Sequence, residues 1–182
     1  MQTEPDTIIA ETRRWLERAV IGLNLCPFAK SVHIKNQIRW RVSEATTPEA
    51  LLADLVSELA WLRDADPELT DTTLLMHPGV LQDFLAFNDF LDVADEVVAE
   101  HDLEGVIQIA PFHPDFQFEG TAPDDVTNCT NRSPFPTLHL LREDSVARAI
   151  ASPGGDADAI VERNQQTLRD LGHDGWQRLL RS

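Results

Sequence analysis

Between Asn36 and Ala110 the chain alternates between short β-patterned runs and long helix-patterned stripes. No other feature restricts its fold as much. Asn36 to Ala45 predicts a strand, with Ile38, Trp40 and Val42 alternating against Arg39 and Arg41. Thr47 then caps a helix opened by Pro48 and Glu49, whose stripe runs through Leu51, Leu55, Leu59 and Leu62 until Asp66-Pro67 ends it. The run "TTLLMHP" (72–78) has the continuous apolar character of a buried strand. Residues 80–101 return to helical spacing, and "GVIQIA" (105–110) is a third strand ended by Pro111. Strand-helix-strand units of this size demand right-handed crossovers and at least partly parallel pairing.

The pattern then fails. From about 111 to 136 no period of either kind persists, while Pro, Asn, Asp and His accumulate. Irregular connections this long are uncommon in compact domains and are usually functional or mobile. "TLHLLR" (137–142) predicts a fourth strand, and Asp144 starts a short helix that "PGG" (153–155) breaks. Asp156 to Leu171 predicts another helix, ended by Gly172, and Trp176, Leu179 and Leu180 lie on a last turn. The expectation is one α/β or α+β domain over 1–182, with a C-terminal helical segment at about 144–181. It has a four-stranded mixed sheet with helices on one or both faces, either ferredoxin-like or a three-layer sandwich.

Composition narrows the partners. The chain has 182 residues and carries a net charge of −16, from 31 acidic against 15 basic residues. That surface repels phosphate backbones and anionic lipid, so neither nucleic acid nor membrane is an expected partner. No secretory pattern opens the sequence and no apolar run reaches membrane-spanning length, so the expected location is cytoplasmic. Cys26 and Cys129 are too few for a disulfide framework, and two reduced thiols are the default.

Cys26 lies in "GLNLCPFAK" (22–30), after a helical stretch from Asp6 to about Leu23. If it only trails that helix, it faces the negative end of the dipole and is inert. If Pro27 opens a new helical turn, Cys26 is its N-cap, and a thiolate there is favoured by backbone N–H groups. Lys30, Lys35, Arg39 and Arg41 cluster nearby in sequence. They are either an attraction for anions or, for Arg39 and Arg41, the solvated face of an edge strand.

His77 and His113 each follow a strand and precede a proline, which puts both at the carboxyl edge of a sheet if the strands are parallel. In "PFHPDFQFEG" (111–120), His113 and Asp115 flank a proline among Phe112, Phe116 and Phe118. An imidazole with a nearby carboxylate suits a general base or a metal ligand, and Glu119 could join either role. In "NCTNRSPFPTLH" (128–139), Arg132 between Asn131 and Ser133 has the fork that grips carboxylate or phosphate. The alternative is an arginine that ties the loop down through backbone carbonyls. His139 lies on the strand face shared with Thr137 and Leu141. "PGGD" (153–156) lacks the spacing and lysine of a phosphate loop, so it predicts only a turn.

The strings "GLNLCPFA", "FHP" with "F.FEG", "NRSPFPTLHLLRE" and "ERNQQTLRDLG" resemble the bacterial family catalogued as domain of unknown function 1415, over nearly the whole chain. The resemblance implies a small soluble protein and carries over no reaction. From the residues, the leading expectation is a cytoplasmic enzyme acting on a small anionic molecule. Cys26 would be its nucleophile or redox thiol, His113 with Asp115 its base, and Arg132 its anion clamp, with Asn131, Ser133 and His139 as further substrate contacts. Two alternatives stand beside it: a metal site built from His113, Asp115, Cys129 and His139, and a non-catalytic acidic interaction module. The sequence names neither a cofactor nor an oligomeric state.

Overall fold

The computed structural model describes residues 3–152 and 156–182; the turn expected at 153–155 lies outside the described residues. Its four-stranded mixed sheet has the order β1-β2-β4-β3, with β1 Ile38–Val42, β2 Thr72–Met76, β3 Ile107–Phe112 and β4 Thr137–Arg142. β1 and β2 are parallel, and β4 runs antiparallel between β2 and β3. The unit β2-helix-β3 is therefore split by a strand arriving later in the chain. Val42, Met76, Thr137 and Phe112 form one row across the carboxyl edge of the three like-directed strands.

Helices cover both faces, which is the three-layer arrangement. On one face lie α3 (Pro48–Asp64) and α4 (Phe84–Glu100). Leu51, Leu55, Leu59, Phe87 and Ala94 from these helices pack on Leu75, Leu138, Leu140 and Ile107 of the sheet. Thr47 caps α3 by accepting from the Ala50 N–H, as its sequence predicts. On the other face lie α1 (Pro5–Trp15), α2 (Pro27–Ile34), α5 (Glu143–Ala151) and α6 (Ala157–Arg181). Trp15, Leu16, Val20 and Ala29 meet Leu168 and Trp176 there, above Ile38 and Trp40 of β1. Among the described residues no helix is long and apolar enough to cross a membrane.

Several boundaries differ from the sequence expectation, each for a local reason. The first helix changes at Leu16–Ile21 into a π-helical turn, in which the Gly22 and Leu25 N–H groups reach back five residues to the Glu17 and Val20 carbonyls (3.0 and 2.8 Å). Asn24 then takes a left-handed conformation (φ 53°), and Pro27 opens α2 as a separate helix. β3 continues through Pro111 because β3 is an edge strand, where a missing N–H leaves no ladder bond unmade. The irregular stretch contains a 3₁₀ helix, Val126–Asn131. Gly172 kinks α6 instead of ending it.

Arg39 and Arg41 correct the sequence expectation most clearly. β1 is an edge strand as expected, with Arg41 exposed and Arg39 half-buried, yet both are ion-paired instead of simply solvated. They are not neighbours of Cys26, because alternation along β1 turns them toward α3. There Arg39 forks onto Glu58 (Nε–Oε2 2.7 Å, Nη2–Oε1 3.2 Å) and Arg41 adds a third bond (3.2 Å). Glu58 is buried, so these bonds compensate a desolvated carboxylate.

Candidate functional site

On the side of the sheet covered by α1 and α2 lie two grooves, each lined in part by the 3₁₀ helix and by α6. The first groove, about 430 Å³, is lined by Glu11, Arg14 and Trp15 of α1, by Cys129, Arg132 and Ser133 of the long loop, and by His173 and Trp176 of α6. Arg14 is exposed and has no ion pair or hydrogen bond among the described residues. Arg132 donates from Nε to the Phe116 carbonyl (3.0 Å) and from Nη2 to the Pro123 carbonyl (2.7 Å). It ties the loop down, and the same two bonds fix its guanidinium at the groove wall. His173 donates from Nε2 to the Asp124 carbonyl (2.6 Å), which fixes its ring on the opposite wall. Cys129 is buried beneath. Burial pushes its thiol up, and the neighbouring Arg132 charge offsets part of that.

The second groove, about 400 Å³, presents mostly apolar surface from Val20, Phe112, Phe118 and Val161, with Cys26, Glu119, Asn131, Asn164, Gln165 and three threonines also lining it. Cys26 is the N-cap of α2, in extended conformation (φ −138°, ψ 110°) with Pro27 first in the helix. The capping geometry is the one that favours a thiolate, yet burial dominates and pushes the thiol up. The Ala29 and Phe28 amides only partly offset it.

Behind Cys26 and Phe112 lies a small apolar cavity of about 40 Å³, also lined by His139, Thr72 and Leu74. The side chain of His139 reaches it because Thr137, His139 and Leu141 share this sheet face, as the sequence predicts. The tautomer follows from the bonds: the Thr72 hydroxyl donates to the Leu140 carbonyl (2.5 Å), so its oxygen accepts from His139 Nε2–H (2.8 Å). Nδ1 is left as a free lone pair. Burial pushes this imidazole down to about 4.

The expected cleft joining Cys26, His113, Asp115 and Arg132 does not form; of these, only Arg132 lines the first groove. Phe112 points toward α1, stacking edge-on with Trp15 at 5.1 Å, so His113 turns to the opposite face. It packs beneath α4 against Phe84 and Phe87 (5.4 and 5.0 Å). Both ring nitrogens are engaged: Nε2 donates to the Leu81 carbonyl (3.0 Å) and Nδ1 accepts the Asp115 N–H (3.0 Å). Asp115 thus reaches His113 through its backbone amide, and burial lowers the imidazole despite the nearby carboxylate. His77 occupies the same layer, stacked on Phe87 at 5.7 Å.

The remaining expected contacts are dispersed. Ser133 lines the first groove, while Asn131 borders the second and anchors the loop through Nδ2 to the Pro111 carbonyl (2.9 Å). The expected metal ligands His113 and His139 lie on opposite faces, and no metal-holding group of three His, Cys, Asp or Glu exists among the described residues. Sequence reasoning passed over Arg14, His173, Trp15 and Trp176. The sequence signal was the pairing of a charged residue with tryptophan at both ends of the chain, "RRW" (13–15) and "HDGW" (173–176).

A family model described as "Protein of unknown function (DUF1415)" matches residues 7–178. Neither the curated proteins nor the solved structures include a match to this chain.

Proposed function

We propose that this chain, which belongs to the DUF1415 family, holds a small anionic molecule between Arg14, Arg132 and His173, as a cytoplasmic protein of small-molecule metabolism. The observation that carries this reading is the placement of two guanidinium groups and an imidazole against one carboxylate, Glu11, around one groove of a protein whose net charge is −16. Local positive charge in so acidic a molecule has a reason if an anion is to enter there. Arg132 is pre-ordered by its two carbonyl bonds, so little side-chain entropy is lost when a carboxylate or phosphate meets it. Arg14 supplies the second charge without an internal partner to give up. Trp15 and Trp176 add flat apolar wall, which suits a compact anion carrying an unsaturated or ring portion.

Titration calorimetry with inorganic phosphate and a series of mono-, di- and tricarboxylates tests the reading. Arg14→Gln is the clean variant, since it removes a side chain that makes no internal bond. It lowers affinity roughly tenfold or more, in line with about 1.5–3 kcal/mol for a charge-assisted hydrogen bond. Equal affinity in wild type and Arg14→Gln for every anion that binds, or no binding at all, rejects the proposal.

A further inference from the structure

From the second groove we infer that Cys26, His139 and Thr72 form a thiol-imidazole-hydroxyl site that accepts an acyl group from an uncharged ester or thioester. This goes beyond the anion groove and does not depend on it. The parts that acyl transfer needs are on one sheet face. Cys26 borders both the groove and the small cavity beside it. His139 borders the cavity with a free Nδ1 lone pair, because its other nitrogen is committed to Thr72. Thr72 in turn is fixed by its bond to the Leu140 carbonyl, so it holds the tautomer in place as a positioning residue. Cys26 caps the first turn of α2, where the Ala29 N–H donates to the Cys26 carbonyl (3.3 Å) and the Phe28 N–H near the thiol is the donor left for the oxygen of a tetrahedral intermediate.

The groove selects the substrate class. Apart from Cys26, Glu119 is its single ionisable lining residue among the described residues, and no cation lines it. An anion has no counter-charge there, whereas an uncharged acyl donor meets Phe112, Phe118, Val20 and Val161. In the first half-reaction Cys26 Sγ bonds to the carbonyl carbon and its proton passes to His139 Nδ1. The carbon–oxygen or carbon–sulfur bond of the donor breaks, and the leaving alkoxide or thiolate takes that proton. In the second, water adds to the acyl-cysteine, and the carboxylic acid leaves as the thiol reforms. No oxidant or reductant enters.

Incubation with p-nitrophenyl acetate and p-nitrophenyl butyrate, followed by intact-mass measurement and peptide mapping, is the test. The expected result is one acyl group on Cys26, formed faster in the folded protein than in the urea-unfolded chain. His139→Gln slows acylation by about 100-fold, the lower end of general-base contributions. Thr72→Val slows it and Thr72→Ser restores it, which a merely structural role would not produce. Acylation of Cys26 no faster folded than unfolded, or an unchanged rate in His139→Gln, overturns the proposal. The folded-against-unfolded comparison needs no variant and so decides the matter even if a substitution prevents folding.

Discussion

Burial holds the imidazoles of both His77 and His139 down at about 4, far below an ordinary histidine. His113 is lowered in the same direction. Each must shed its proton to fold, so the unfolded chain binds more protons than the native one below about pH 6.5. Stability is therefore full above that pH and falls as the solution is acidified, until the native imidazoles also protonate near pH 4. The two larger shifts, from 6.5 to about 4, amount to about 3 kcal/mol each at the acid end. Urea titrations at pH 7, 5.5 and 4.5 should show a steadily lower midpoint, with a shallower decline in His139→Gln. A midpoint indifferent to pH across this window would show that these histidines titrate alike in both states.

The kink in α6 matters more at the scale of elements than its single residue suggests. Gly172 sits at φ 68°, ψ 173°, a region that only glycine occupies without strain. By breaking α6 there, it lets the second half of the helix turn His173 and Trp176 toward the first groove. Gly172→Ala should cost about 1–3 kcal/mol, the usual penalty for such a conformation, and should also weaken phosphate or carboxylate binding. Chemical denaturation and calorimetry on the same variant read the two effects. The elements most legible in the sequence were those made by local period: β1, β2, α3, α4 and β4 each announced themselves through spacing and caps. The π turn was not legible, because a helix that widens by one residue keeps nearly the same apolar spacing. α2 was legible only as an alternative, since Pro27 can equally end one helix or open another. The candidate site was legible in kind but not in grouping. Cys26 and His139 were both singled out, but they line one cavity only because β4 inserts beside β2 and pairs His139 with Leu74. His113 was legible as a residue at the carboxyl edge but its face was not, and strand alternation past Phe112 carries it under α4.

For the whole molecule, the net charge of −16 is a standing self-repulsion. Raising the salt from about 10 mM to about 150 mM shortens the screening length from about 30 Å to about 8 Å and relieves most of it. The melting temperature should accordingly rise over this range in differential scanning calorimetry; a fall would mean that favourable ion pairs such as Arg39–Glu58 outweigh the excess charge. The sheet order has a consequence for synthesis. β4 is interior to the sheet yet follows the other three strands in the chain, so when a ribosome has delivered residues up to Phe112, only β1 and β2 can pair. β3 then has no neighbour, and β2 shows an open edge until Thr137–Arg142 emerges and fills the gap from both sides at once. The nascent chain has to keep two β edges from straying during that interval. The stretch it is then translating, 113–136, holds Pro114, Pro123, Pro134 and Pro136, residues that make poor partners for a stray strand.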